Sequence, residues 1–329
     1  MAKGLVLYSG GLDSLLAGKV LMDQGIEVVG LNFVLPFVGP HENPEEFEVS
    51  KMAQQINMPL IYHRCGRDYL DMVENPSRGY GKNMNPCIDC KIHFIRKSVQ
   101  YMNDIGADFI ATGEVVGQRP MSQLKHTMNH ILKETHLEGR LLRPLSAQLL
   151  KPTKVEEEGL VDRDKLLGFS GRSRKPQMDL AKKYGISHFS SPAGGCLFTD
   201  HNISLRVKDV FEADYPYDVL DFYIMTIGRH FRFHDKAKVT IARNETEYDA
   251  LVRYADKADV FFTPDFKGPT AFGRGLFTDD DIELVCKMLY RYGKPVNDPE
   301  VVLVHQNGSE RQVEVSEAIS DDLLNSIRI

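Results

Sequence analysis

Two groups of residues in this chain have types and spacing suited to chemistry, and they lie far apart in sequence. The first is Ser9-Gly10-Gly11-Leu12-Asp13-Ser14, placed between an apolar run and a helical pattern. Two glycines free the backbone amides, two hydroxyls flank them, and the positive end of the following helix points at the same place, which suits a pyrophosphate group. A magnesium ion bridging phosphate oxygens accounts for Asp13 in such a site. A Walker loop is excluded, because Gly18-Lys19-Val20 has Asp13 in the first-glycine place and lacks the hydroxyl. A dinucleotide fingerprint is excluded too, since the turn does not carry its three glycines.

The second group is built on sulfur. Asn85-Pro86-Cys87-Ile88-Asp89-Cys90-Lys91 opens a helical pattern whose apolar face is Ile88, Ile92, Ile95, Val99 and Met102. Pro86 suits the first turn, and Cys87 and Cys90, three apart at its start, can share one metal while the helix dipole favours their thiolates. A third thiol, Cys196, follows in Pro192-Ala193-Gly194-Gly195-Cys196-Leu197, where the paired glycines allow close backbone approach. Three thiols on one site leave an iron of a cluster, or a zinc, with an open coordination position. The remaining reading is a redox or persulfide pair in which Cys196 attacks or carries sulfur directly. The other two cysteines have structural readings: Cys286 shares an apolar helix face with Ile282, Val285 and Leu289 behind the cap Thr278, and Cys65 follows a strand end as a buried thiol. An odd total of five argues against a disulfide framework.

The elements that must position these groups alternate. Leu5 to Tyr8 reads as a strand, Ser14 to Met22 as a helix closed by Gly25, and Ile26 to Leu31 as a strand, which together form a βαβ unit. A helix near Glu45 to Ile56, the run Leu60 to Tyr62 and the run Asp108 to Thr112 continue the pattern, so a parallel sheet covered on both faces is expected. Ligands of such sheets bind beyond the carboxyl ends of the strands, here Ser9 to Ser14, Asn32 and Phe33, and Gly113 to Gln118. Ser146 to Arg174 reads as surface loops and a short helix. Beyond Asp200, Lys238 to Ala242 alternates like a strand, Glu245 to Ala255 like a helix, and Val301 to His305 pairs with Gln312 to Val315 across Asn307-Gly308, which points to a separate α+β domain. The expected division is 1–203 and 204–329.

Composition narrows the class. With 42% hydrophobic and 26% charged residues, neither disorder nor a fibrous class is indicated. A net charge of −6 argues against a non-specific nucleic-acid coat but leaves room for a local basic face. No apolar run approaches the roughly 20 residues that span a bilayer, so a cytoplasmic protein without a membrane partner is expected.

The loop resembles the SGGxDS signature of the PP-loop ATPases, matched by Ser9, Gly10, Gly11, Asp13 and Ser14. That resemblance covers about residues 3 to 200. It implies an α/β fold, the Rossmann-like parallel sheet of the adenine nucleotide alpha hydrolases, here followed by a second, smaller α+β C-terminal domain. It also implies ATP cleavage between the α and β phosphates, with Mg2+, to adenylate a substrate oxygen. On this basis Ser9, Gly10, Gly11, Asp13, Ser14, Gly113 and Gln118 are expected at ATP, with Asn32 and Phe33 where the family contacts adenine. Thr112-Gly113-Glu114-Val115-Val116-Gly117-Gln118, then Ser122-Gln123 and Arg143-Pro144-Leu145, is similar to the tRNA 4-thiouridine synthetases. This implies a tRNA sulfur transferase in which adenylation turns a uracil oxygen into a leaving group that sulfur displaces.

Several tRNA thiolases of this class hold a 4Fe-4S cluster on a CxxC and a distant cysteine, an arrangement similar to Cys87, Cys90 and Cys196. Asp13, Cys87 and Cys196 are then the expected catalytic residues, with zinc as the alternative metal and sulfide or a sulfur-carrier protein as the sulfur donor. A homodimer is compatible with this reading. The chain opens on the ATPase strand, so RNA recognition is expected from the segment after Asp200, where the Ala237 to Asn244 run resembles the NFACT-type RNA-binding domain. Arg229 and Arg232 alternate there with aromatic residues, either as stacking and phosphate contacts require or as a strand with one solvated face does, and Lys91, Arg172 and Arg174 would add a basic rim near the ATP site. The competing readings are a PP-loop synthetase of the amidotransferase type acting on a small molecule, and a non-catalytic RNA-binding factor.

Overall fold

The structure is a computed structural model that describes residues 1–189 and 195–329. Two units divide the chain. One comprises residues 1–35 and 41–196, the other 36–40 and 197–329. The sequence-based division at 203 falls inside a helix, His201–Glu212, whereas the structural one falls at Cys196, with an early excursion at 36–40. Phe37 explains that excursion: its ring packs edge-on against Phe198 at 5.0 Å and also meets Phe222.

The first unit runs β1 (Lys3–Leu7), α1 (Leu12–Met22), β2 (Glu27–Val34), α2 (Glu48–Gln54), β3 (Leu60–Arg64), α3 (Arg67–Glu74), α4 (Cys87–Asp104), β4 (Phe109–Thr112), α5 (Lys125–Thr135), β5 (Leu141–Leu142), α6 (Lys154–Glu157) and α7 (Lys175–Lys183). Its five strands are all parallel in the order β3-β2-β1-β4-β5. Chain order therefore reverses at β1, so the loops after β1 and β4 diverge and leave a crevice between them. Both faces of the sheet are covered. Leu12, Leu15, Leu16 and Val20 of α1 pack with Val6 and Val28 on one side, while Ile92, Ile95 and Met102 of α4 pack with Leu5, Leu31 and Ile110 on the other.

The 146–174 stretch departs from its sequence reading. Ala147, Val155, Val161 and Leu166 are each buried in the α1 core, so the segment is stitched down at single apolar residues whose irregular spacing gives no periodic signal.

The second unit contains α8 (His201–Glu212), α9 (Val219–Ile224), β6 (Arg229–His234), β7 (Ala237–Ile241), α10 (Glu245–Val252), β8 (Val260–Pro264), β9 (Ala271–Gly275), α11 (Asp279–Tyr292), β10 (Glu300–Gln306), β11 (Ser309–Val315) and α12 (Asp321–Ser326). Its six strands are antiparallel in the order β11-β10-β8-β9-β7-β6. The expected hairpin forms across Asn307-Gly308, both at positive φ as a tight turn of this kind requires. Cys286 is fully buried on α11, whose cap Thr278 closes a capping box with Asp281.

A buried ionic cluster ties α8 to the sheet. Asp209 accepts from Arg232 through two bonds of 2.8 Å and from Lys238 at 2.7 Å. Burial works to push Asp209 up, but these two cations outweigh it and its carboxyl stays below the usual range. Replacing Asp209 with Ala leaves Lys238, 6% exposed, as an uncompensated buried charge. We expect a loss of about 3–5 kcal/mol in the stability of this unit, read by chemical denaturation. A change within experimental error would show that the cluster contributes nothing net.

Candidate active site

The crevice between the β1 and β4 loops opens into a cleft of about 910 Å³, a size that holds a nucleotide-scale ligand. Leu7, Ser9, Gly11, Asp13 and Ser14 line it from the β1 side, and Thr112, Gly113, Glu114 and Gln118 from the β4 side. Gly10 takes φ +77°, where a Cβ would also strike the Val49 side chain, so only glycine suits the turn. Ser14 Oγ donates to the Gly11 carbonyl at 2.9 Å and lies 3.4 Å from Ser9 Oγ, which folds the loop back on itself. The cap position of α1, Gly11, offers no side-chain cap, so the first amides of the helix are left for another acceptor.

Gly113 sets how closely the two loops meet. A Cβ there would stand 2.4 Å from Ser14 N and 2.5 Å from the Asp13 carbonyl carbon, both backbone atoms that cannot give way. Next to it, Glu114 is buried and holds three walls together. It accepts from Lys91 of α4, from Arg143 Nε at 2.9 Å and from Thr112 Oγ1 at 3.1 Å.

The acidic residue of the loop is held from the other side. Gln118 Nε2 donates to Asp13 Oδ2 at 2.7 Å, and Gln177 Nε2 of α7 donates to Gln118 Oε1 at 3.0 Å. Arg174 at the N-cap of α7 stands 3.7 Å from the same Asp13 oxygen. Asp13 Oδ1 is buried without a hydrogen-bond partner among the described residues.

Cys196 lines the cleft; Cys87 and Cys90 stand at the start of α4, a helix whose Phe94 and Ile95 form part of the same wall. Pro86 is the N-cap of α4 rather than its first helical residue. Burial pushes the Cys90 thiol up to about 12; a hydrogen bond with the Tyr69 hydroxyl opposes this, and the nearby thiols Cys196, Cys87 and Cys65 reinforce it. Burial likewise lifts Cys65 to about 12. Thiols from distant parts of the chain thus act on one another, a donor set whose chemistry fits a thiophilic metal that would displace their protons. Among the described residues no group of three or more His, Cys, Asp or Glu is already arranged around a metal position. Of the paired glycines before Cys196, Gly194 lies outside the described residues.

Other expected residues fall elsewhere. Asn32 is buried and spends its amide on the Tyr8 carbonyl at 2.9 Å, and Phe33 lies behind the wall, stacked on Phe94 with centroids 4.5 Å apart. Arg172 and Arg174, expected on a basic rim near the ATP site, line the cleft, as does Lys91. In β6 the basic and aromatic alternation is not a stacking platform. Phe231 is fully buried, Phe233 packs on the core, Arg232 is committed to Asp209, and Arg229 lies over the Tyr292 ring at 4.6 Å. A half-buried strand shows the same alternation, so period alone could not separate the two. Phe94, Arg119 and Gln177 escaped the sequence reading. Phe94, four residues after Cys90 on one helix, carried the only positional signal.

The Glu114 carboxyl is pushed up by burial, but Lys91 and Arg143 prevail and hold it at about 2, against an ordinary 4.5. Its contribution, about 3 kcal/mol, is therefore complete above pH 4.5 and lost as pH falls towards 2. Urea denaturation across that interval should show a steeper loss of stability in the wild type than in Glu114→Gln, and equal slopes would remove Glu114 from the acid response.

Residues 1–149 match the family described as Thiamine biosynthesis protein (ThiI), and residues 228–327 match the NFACT protein RNA binding domain. The tRNA-specific 2-thiouridylase MnmA of Limosilactobacillus fermentum is 28% identical over 185 residues, 49% of this chain and 49% of the relative. The protein of the same name from Listeria monocytogenes is 27% identical over 245 residues, 69% of this chain and 60% of the relative. Among solved structures, a 4-thiouridine synthetase bound to RNA and ATP is 21% identical with a TM-score of 0.39, covering 60% of this chain and 45% of that one. The chain spans about half the length of the first of these relatives. No helix among the described residues is long and apolar enough to cross a membrane. With the signature residues gathered on a five-stranded parallel sheet and the ThiI match laid over the same region, residues 1–149 are similar to the PP-loop ATPases.

Proposed function

We propose that this chain is an ATP-dependent tRNA sulfurtransferase that thiolates a uridine by adenylation, releasing pyrophosphate and AMP. One observation carries the reading: the Ser9–Ser14 loop and Cys196 line a single cleft, so a phosphate site and a thiol can serve one reaction. The ThiI match and the MnmA relatives support uridine in tRNA as the substrate. The NFACT match supports residues 228–327 of the C-terminal domain as the RNA-binding part, although Arg232 is spent internally.

In this reading the loop amides and the Ser9 and Ser14 hydroxyls hold the phosphates, while Lys91, Arg119, Arg172 and Arg174 supply positive charge around them. The uridine carbonyl oxygen attacks the α phosphorus and the bond to the β,γ-pyrophosphate breaks; sulfur then attacks the activated ring carbon and AMP departs. Asp13 would hold Mg2+, which would supply charge neutralisation of the phosphates, and Cys87, Cys90 and Cys196 would hold a 4Fe-4S cluster, or zinc, which would supply a binding position for sulfur. The donor is sulfide or a sulfur-carrier protein, and the enzyme acts in the cytoplasm, as a monomer or a homodimer.

Mass spectrometry of tRNA nucleosides from a deletion strain should show one thionucleoside missing and restored by the wild-type gene; an unchanged profile would sink the proposal. Asp13→Ala is expected to cut ATP-dependent pyrophosphate release about a hundredfold or more. Gly113→Ala, which drives a Cβ into the loop backbone, should lower the same rate about a hundredfold while the chain stays folded by circular dichroism.

A further inference from the structure

We infer that Arg174 binds the β,γ-phosphates of the nucleotide, that its ion pair with Asp13 is a ligand-free latch which nucleotide and cation together open, and that Gln118 and Gln177 position Asp13 for the cation. This rests on the ATP reading above and goes beyond it.

The pair between Arg174 and Asp13 has the wrong geometry for a structural ion pair. At 3.7 Å it is longer than a hydrogen bond, and the Asp13 oxygen it approaches is already taken by Gln118. Two polar atoms are left over: Asp13 Oδ1 and Arg174 Nε are both buried and have no hydrogen-bond partner among the described residues. The same chain shows what a finished pair looks like, since Arg232 meets Asp209 through two bonds of 2.8 Å. Leaving a buried charged donor and acceptor unsatisfied is costly, so such a pair persists where a ligand completes both halves. The ligand must bring a cation to the carboxylate and an anion to the guanidinium. A magnesium-bound polyphosphate does both, and both residues line the cleft that would hold it.

The support for Asp13 is unusual as well. Gln177 is completely buried, lies three residues after Arg174, and reaches Asp13 through Gln118. With Oδ2 held by this relay, Oδ1 is the oxygen left to receive the cation. Helix α7 and its N-cap therefore carry two side chains that act on Asp13, one directly and one through a neighbour.

Calorimetric titration of the full chain with magnesium pyrophosphate, magnesium ATP and AMP tests this. Arg174→Ala should weaken pyrophosphate and ATP binding about 10- to 100-fold and leave AMP affinity unchanged, with Arg174→Lys intermediate. Gln177→Leu should raise the Mg2+ concentration needed for half-maximal ATP binding without changing AMP affinity, a readout that a packing role would not move selectively. Melting curves verify folding, and Arg174→Gln replaces Arg174→Ala if the latter unfolds. Equal pyrophosphate affinity in wild type and Arg174 variants would overturn the inference while leaving the ATP reading intact. A wild-type chain that binds neither ATP nor pyrophosphate would overturn both.

Discussion

A single buried carboxylate sets the spacing of the cleft walls. Glu114 follows the glycine that touches the phosphate loop, and it is held by Lys91 from the helix that begins with Cys87 and by Arg143 beyond the shortest strand. Three elements distant in sequence are thereby fixed around one point, in surroundings where charge is expensive unless paired. Removing one partner would loosen the thiol-bearing helix and the β4 loop together. The resemblance to thiouridine synthetases contained this residue inside a longer pattern, but its partners became visible only in the fold.

The Ser9–Ser14 turn and the parallel sheet were legible because local rules agree there: apolar runs, a glycine turn and helical periodicity all favour one arrangement. The 146–174 stretch was not legible, since isolated buried residues such as Val155 and Leu166 leave no repeat to detect. Arg172 and Arg174 stand where the expected basic rim lay, on the cleft beside the Ser9–Ser14 turn, whereas the buried Gln177 that follows them gave no signal.

The C-terminal domain shows how alternation misleads. Arg229 to Phe233 has the pattern of a base-stacking surface, but the same period describes a strand with its aromatic residues in the core. Arg232 and Lys238 share Asp209, so two of the cations nearest this strand neutralise an internal acid and are not offered outward. If residues 228–327 meet RNA, the phosphate contacts must come from other cations of the domain.

The excursion of 36–40 into the second unit means that the backbone passes between the units more than once. No single cut separates them. A fragment ending at Cys196 would retain Phe37 stripped of Phe198 and Phe222, its aromatic partners, and would leave those faces of an apolar ring uncovered. Genetic dissection of this protein into halves is therefore constrained by an early stretch of sequence that a linear domain map assigns to the wrong half.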